Sequence, residues 1–389
     1  MIPYGRHFID QQDIDAVIQV LQSDWLTCGP MVDKFEDVLA KAVNAKYAVA
    51  CSNGTTALDL AMLALGIGVG DVVLVPAITF LASANAVRYV GADVIFVDVD
   101  PPTGLMTAAT LEKAILINKN KPLKAVVNVH LGGQCEDLEA IYNIAKKHNL
   151  LIIEDAAHAI GTVYIDQNNK RYPIGSNAFS DITTFSFHPV KTIAMGEGGA
   201  VTTSNLKIAK KLKLLRSHGI VREKSDWESD EAGPWYYEMQ ELGYNYRVSD
   251  INCALGVSQL EKLAAFKLER TKIVKFYDDA FANSEHIKPI KKSNHSDTAW
   301  HLYIVNIDYV KIGKSRAQVM MELKGNGIGT QVHYIPLYKQ PYYKKKIGDV
   351  KFPGAEMYYS KCLSLPLYVG IQDMQIDYIV GVLQSCIYR

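Results

Sequence analysis

Short apolar runs recur between about residue 45 and residue 205, and polar, helix-patterned segments separate them. The runs are YAVAC at 47–51, VVLVP at 72–76, VIFVDV at 94–99, AVVNV at 125–129, LLIIED at 150–155, ITTFSF at 182–187 and GAVTT at 199–203. Apolar stretches of this length alternating with helical patterns predict a mostly parallel sheet with helices on both faces. Between the first two runs, TTALDLAMLALG spaces Leu58, Met62 and Leu65 on one helical face and ends in Gly66, a helix with a C-terminal stop.

Beyond residue 205 the rhythm changes. LKIAKKLKLLRSHG predicts a basic helix, residues 225–247 are polar and rich in Trp and Tyr, and one long helix is expected from Asp250 to Asp279. WHLYIVNI, a helix near 315–325, GTQVHYIP and a last helix from Asp373 to Ser385 complete the pattern. It divides into a large α/β unit at 1–245 and a smaller α+β unit at 246–389 that closes on it, a size range that accommodates two cores. GIGVG at 66–70 has dinucleotide-type glycines but follows a helix and precedes a strand, the reverse of the order such a loop needs.

Composition narrows the function. Lys plus Arg and Asp plus Glu each total 41, so the formal net charge is zero and no broad basic face exists for nucleic acid or anionic lipid. The six cysteines are scattered without a close pair, which argues against a metal knuckle or redox couple and for free thiols in a reducing compartment. MIPYGRHFID lacks the basic and apolar regions of a signal peptide and no apolar run spans a bilayer, so the expected location is the cytoplasm.

Ligands of open parallel sheets collect at the carboxyl ends of the strands, and three features fall there. CSNGTTAL runs strand, turn, helix, presenting the backbone N–H groups near Gly54, Thr55 and Thr56 to a phosphate; the same segment reads equally as an Asn-Gly turn with a threonine cap. LLIIEDAAHAIG carries an apolar strand out to Glu154 and Asp155, with His158 shortly after, though a carboxylate there can also cap a turn. In FSFHPVKTIAMGEGG, Ser186 ends a strand, Lys191 follows it, and Gly196, Gly198 and Gly199 allow close backbone approach. Phosphate nest, carboxylate and lysine together fit pyridoxal 5'-phosphate: its aldehyde needs an amine, and its ring nitrogen needs an acidic partner. A lysine serving as base at neutral pH needs its pKa lowered by about two units or more from an ordinary 10.4 or so.

The segments SDWLTCGP, NGTTAL, PAITFLASANAV, EDAAHAIG, TTFSFHPVKTIAMGEGGA, RSHGI, GYNYRVSDINCALG and QVHYIPLY span nearly the whole chain. Through them the chain resembles the sugar-nucleotide aminotransferases of the DegT/DnrJ/EryC1/StrS family, which have the fold type I architecture of aspartate aminotransferase. The resemblance implies that Lys191 bonds the cofactor aldehyde, Asp155 pairs with the ring nitrogen, His158 contacts the phenolic oxygen and Phe80 stacks on the ring. It assigns the phosphate to Ser186 and the amides of Gly54 and Thr55, with Asn245 reaching in from a second subunit of a homodimer. Tyr4, Trp25, Thr27, His333 and Tyr334 are implied as sugar or nucleotide contacts, and no metal is implied. Phe80, Trp25 and Tyr334 read alternatively as packing residues, His158 as a structural histidine and Asn245 as a turn cap.

GPWYYEMQELGYNYRVSD, SFHPVK and CLSLPLY most resemble members acting on the route to pseudaminic acid. By that resemblance L-glutamate donates its amino group, with pyridoxamine 5'-phosphate as intermediate, to C4 of a UDP-linked 4-keto-6-deoxy-N-acetylhexosamine. Other keto sugars, linked to dTDP or GDP, are the alternative. Related dehydratases that use pyridoxamine phosphate have histidine in place of the imine lysine, so Lys191 argues against them. A nucleic-acid-binding regulator is disfavoured by the neutral charge. Asn53, Ala194 and Met195 depart from the family pattern, where hydroxyl residues are common.

Overall fold

The computed structural model describes residues 1–229 and 233–388, so the middle of the polar stretch at 225–247 and the last residue lie outside it. The expected strands form one seven-stranded sheet. In chain order they are β1 (Tyr47–Cys51), β2 (Val72–Pro76), β3 (Asp93–Val97), β4 (Leu123–Val129) and β5 (Leu151–Asp155). A small side pair, β6 (Val163–Ile165) and β7 (Arg171–Pro173), precedes β8 (Ile182–Ser186) and β9 (Gly199–Thr203), which complete the large sheet.

Its spatial order is β1-β9-β8-β5-β4-β2-β3, and only β9 runs antiparallel to its neighbours. Strands β2 and β9 are buried from end to end and β4, β5 and β8 all but their ends, which is why their sequences show no polar alternation. The register pairs Val129 with Asp155, Asp155 with Thr184, Ser186 with Gly199 and Gly199 with Cys51. The carboxyl ends of β1, β4, β5 and β8 and the start of β9 therefore meet at one edge.

The helices before and among these strands are α1 (Gln11–Leu21), α2 (Pro30–Val43), α3 (Gly54–Ala64), α4 (Leu81–Tyr89), α5 (Ala108–Ile117), α6 (Leu138–Lys147) and α7 (Leu206–Arg216). Helix α3 is enclosed rather than amphipathic: besides Leu58 and Met62, Ala57, Asp59, Leu60, Ala61 and Ala64 are buried, while Leu65 is only partly covered. It lies on β8 and β9 with α4 and α7 beside it, so its backbone start is held firmly at the sheet edge.

The long helix expected from Asp250 to Asp279 is two, α8 (Asp250–Glu261) and α9 (Leu263–Phe281), meeting at Lys262. Lys262 stays there because its ammonium pairs with Asp13, at 2.8 Å, and with Asp10. Cys253, Val257 and Leu260 of α8 join the core around Phe35 and Phe187, whereas Ile273, Val274, Tyr277 and Phe281 of α9 belong to a separate core. That second core covers a three-stranded antiparallel sheet. A short pair, β10 (Ile220–Val221) with β11 (Glu238–Met239), comes first, then β12 (Ile287–Pro289), β13 (Ser296–Asp297), which joins β6, β14 (Tyr303–Ile307) and β15 (Cys362–Leu365). The order is β12-β14-β15, with α10 (Arg316–Gly325), α11 (Pro341–Ile347), α12 (Pro353–Lys361) and α13 (Asp373–Tyr388) around it. Among the described residues no helix is long and apolar enough to cross a membrane.

Candidate active site

A cavity of about 720 Å³ opens at the edge where β1, β5 and β8 end. Lys191 and Asp155 both line it, together with Tyr4, Gly54, Thr55, Phe80, His158, Ser186, His333 and Tyr334. Ten of the thirteen side chains or turns singled out in the sequence thus share one space.

The phosphate nest is the start of α3. Asn53 caps the helix: its Oδ1 accepts from Thr56 N–H at 2.9 Å, and Thr56 Oγ1 accepts from Asn53 N–H at 3.1 Å. The cap uses Thr56, and the N–H groups of Gly54 and Thr55 have no partner among the described residues. Such orphan donors at the positive end of a helix suit an anion. Gly54 is required by closeness, since a Cβ there would lie 2.7 Å from Ser186 Cβ, and one on Gly199 would lie 2.2 Å from Asn53 O. The fit to a phosphate is therefore built of a bare cradle and the Ser186 hydroxyl. Asn53 meets its departure from the family pattern by serving as the cap. Ala194 and Met195 are buried outside the cavity, their backbone held by Gln259 and Asn252.

Asp155 is buried, and both its oxygens accept hydrogen bonds, Oδ2 from Ser83 at 2.6 Å and Oδ1 from Ala157 N–H at 3.2 Å. His158 is neutral and in a defined tautomer. Gly132 N–H donates to Nδ1 at 3.2 Å, so the ring proton is on Nε2, which donates to Tyr334 Oη at 3.1 Å. Burial, and then the charge of Lys191, holds this imidazole well below its ordinary pKa.

Lys191 sits on the turn after β8, and its ammonium has no hydrogen bond or ion pair within 4.0 Å among the described residues. Burial pushes its pKa down to about 8, against the pull of the Asp155 carboxylate. The downward shift of about two units that a lysine base requires is present before any ligand arrives.

Phe80 is 54 % exposed in the open cavity, so it is not a core residue; its ring stands 5.9 Å from that of Tyr334. His333 is buried, bonds Ser364 Oγ at 2.8 Å, and is driven down to about 3 by burial and then by Lys191. Trp25, Thr27 and Asn245 do not line the cavity. All three are exposed, although Asn245 lies next to Tyr246, whose carbonyl accepts from Ser52 N–H at 2.8 Å beside the nest.

The structure also places residues in the wall that the sequence reading passed over. His301, buried and 4.4 Å from the His158 ring, precedes β14 within an apolar stretch that looks like plain strand. Thr79, just before α4, and Ser83, in its first turn, stand four apart inside PAITFLASANAV, a spacing that lets two hydroxyls meet at a helix start and could have been noticed. His188 and Glu197 flank the Lys191 turn and line its mouth.

An alternating α/β sheet with these groups at its carboxyl edge is the fold type I architecture of pyridoxal phosphate aminotransferases. The chain belongs to the DegT/DnrJ/EryC1/StrS aminotransferase family, whose model matches residues 7–384. That family uses pyridoxal 5'-phosphate.

Among its relatives, the Bacillus subtilis spore coat polysaccharide biosynthesis protein SpsC is 38% identical over 392 residues, 99% of this chain and 97% of that protein. The Campylobacter jejuni UDP-4-amino-4,6-dideoxy-N-acetyl-beta-L-altrosamine transaminase is 39% identical over 376 residues, covering 97% of this chain and 94% of its own. The solved structure of the putative sugar aminotransferase Spr1654 from Streptococcus pneumoniae, in its PMP form, superposes with a TM-score of 0.89 at 29% identity, covering 100% of this chain and 99% of that one.

Proposed function

We propose that this protein is a pyridoxal phosphate-dependent aminotransferase that moves the amino group of L-glutamate to C4 of a UDP-linked 4-keto-6-deoxy-N-acetylhexosamine, a step toward pseudaminic acid. The observation that carries the chemistry is Lys191: a lysine without a hydrogen-bonding partner among the described residues, its pKa pushed down to about 8, sharing one cavity with a buried carboxylate and a bare phosphate cradle. The C4 position and the UDP carrier are supported by the likeness to the C. jejuni transaminase. The nearly equal identity to SpsC keeps a different keto sugar nucleotide as the alternative outcome of the assay.

When bound, pyridoxal phosphate supplies an electrophilic carbonyl and a ring that withdraws electrons from the reacting carbon. The chain's own groups do the rest. Gly54, Thr55 and Ser186 would hold the phosphate, Asp155 would pair with the ring nitrogen, and Phe80 would cover one face. His158 offers its Nε2 proton to the phenolic oxygen or to Tyr334. Lys191, as a neutral amine, would take the proton from the donor's α-carbon and deliver it to the carbon on the far side of the shared nitrogen, in the reverse order for the sugar. Tyr4, His333 and Tyr334 face the remaining space, where the sugar would lie.

A homodimer completes this reading: Trp25, Leu26, Trp235, Met239 and Leu242 are exposed apolar side chains on segments flanking Asn245 and Thr27. A second copy would cover them and bring Asn245 to the phosphate. The proposed division is a large unit at 1–245 and a smaller α+β unit at 246–389, with α8 in the core around Phe35 and Phe187 and α9 in the separate one. Incubating the enzyme with glutamate and candidate UDP-, dTDP- and GDP-linked keto sugars, and assigning the product by NMR, tests the function. Amination at C3, or turnover only with another nucleotide, would replace the substrate; no transfer from any amino acid to any keto sugar would end the proposal.

A further inference from the structure

Behind the cavity wall, Asp155 is joined to two hydroxyls to which none of these roles gives a part. Ser83 Oγ of α4 lies 2.6 Å from Asp155 Oδ2, and Thr79 Oγ1 lies 2.7 Å from Ser83 Oγ. Thr79 is 1% exposed, Ser83 0% and Asp155 6%, so water does not satisfy these groups. Their polarity follows from counting protons. An ionised carboxylate only accepts and a hydroxyl has one hydrogen, so Ser83 donates to Oδ2 and Thr79 must donate to Ser83. A helical serine commonly turns its hydrogen back to a carbonyl of the preceding turn. Ser83 instead reaches a side chain 72 residues away in sequence.

On the cofactor reading above, we infer that Ser83, backed by Thr79, is a positioning residue for Asp155. The relay occupies Oδ2, so that Oδ1, steadied by Ala157 N–H at 3.2 Å, is the oxygen presented to the ring nitrogen. Two donors on the carboxylate also fix the direction in which it faces the ring nitrogen. Because the donors belong to the base of α4 and to the strand end, they are in place before the ligand binds, which is the arrangement that makes electrostatic stabilisation effective.

The test separates action through the ring nitrogen from simple packing. Apparent dissociation constants are measured by equilibrium titration for pyridoxamine 5'-phosphate and for its 1-deaza analogue, in which C–H replaces the ring nitrogen; neither bonds covalently to Lys191. Ser83→Ala should weaken pyridoxamine phosphate about tenfold, the scale of a hydrogen bond to a charged group, and leave the analogue within about twofold. Thr79→Val should shift the natural ligand the same way by about threefold, and it decides the matter if Ser83→Ala does not fold. Equal losses for both ligands, or no loss for either, would overturn the relay. Wild-type protein that binds neither compound would overturn the cofactor reading itself, and the relay with it.

Discussion

Lys191, Asp155, Ser186 and the Gly54–Thr55 turn reach the cavity from strand ends of one sheet, whereas Tyr4, His301, His333 and Tyr334 reach it from segments attached to another. Tyr4 O accepts from Leu367 N–H at 3.1 Å, His301 leads into β14, and Gln331, two residues before His333, bridges to Ser364 of β15. The floor carries the charges. The roof is neutral, because burial holds His333 near 3 and His301 well below its ordinary value. A floor set by sheet register can place an amine and a carboxylate against a small rigid cofactor. A roof of neutral donors and aromatic rings suits a sugar, whose hydroxyls need hydrogen bonds rather than ions.

Removing the floor amine should have the largest effect. Lys191→Ala is expected to cut turnover by more than roughly a thousandfold, measured as 2-oxoglutarate release, while bound cofactor becomes removable by dialysis. Substantial remaining turnover would mean that the lysine is not the base. Asp155→Asn comes next: a fall in kcat of about a hundredfold or more with an unchanged circular dichroism spectrum. An unaltered rate would show that the ring nitrogen has another partner.

The depressed pKa of Lys191 gives two further checks. In the cofactor-free protein the neutral amine is the reactive form, so the rate of covalent capture of pyridoxal phosphate should climb about tenfold per pH unit below 8 and level off above it. A profile flat from pH 6 to 9 would contradict the assignment. Stability responds to pH in the same direction, in a higher window. Between about 8 and 10.5 the unfolded chain binds the proton that the folded one has lost, so wild-type stability rises with pH across that window. Below it the folded protein bears the cost of a buried ammonium, and Lys191→Met should be more stable at pH 7 by about 1–3 kcal/mol in chemical denaturation. The smallest effect belongs to the roof. Tyr334→Phe leaves the His158 Nε2 proton without its acceptor, about 1–2 kcal/mol, seen as a several-fold rise in KM for the keto sugar with kcat nearly kept.

The floor was legible because its signals are local. An apolar run ending in Glu154-Asp155, or a strand followed by Asn-Gly-Thr-Thr, announces a strand end and a helix start within a few residues. Glu154 shows the limit of such reading. It is next to Asp155 but faces the other side of the sheet, where it accepts from Thr183 at 2.7 Å and stands 3.6 Å from His130. The roof was read only in part: His333 and Tyr334 came through resemblance, and His301 not at all, since its neighbours Trp300 and Leu302 mark it as ordinary core. The long helix from 250 was misjudged because nothing local marks the bend. Lys262 is a good helix former, and the break is decided by Asp10 and Asp13, far away in the chain.

By itself, the sequence determined the seven central strands, the helix that follows β1, the amine and acid at the sheet edge, and the family to which they belong. Each of these depends on interactions within a strand or a turn, and such interactions are written in neighbouring residues. Only the tertiary structure decided that Lys191 would lack a hydrogen-bonding partner among the described residues, that His158 would keep its proton on Nε2, and that Ser83 of α4, backed by Thr79, would point at Asp155. Those properties depend on which groups from distant segments come within about 3 Å in a dry interior, where desolvation and single hydrogen bonds outweigh residue type.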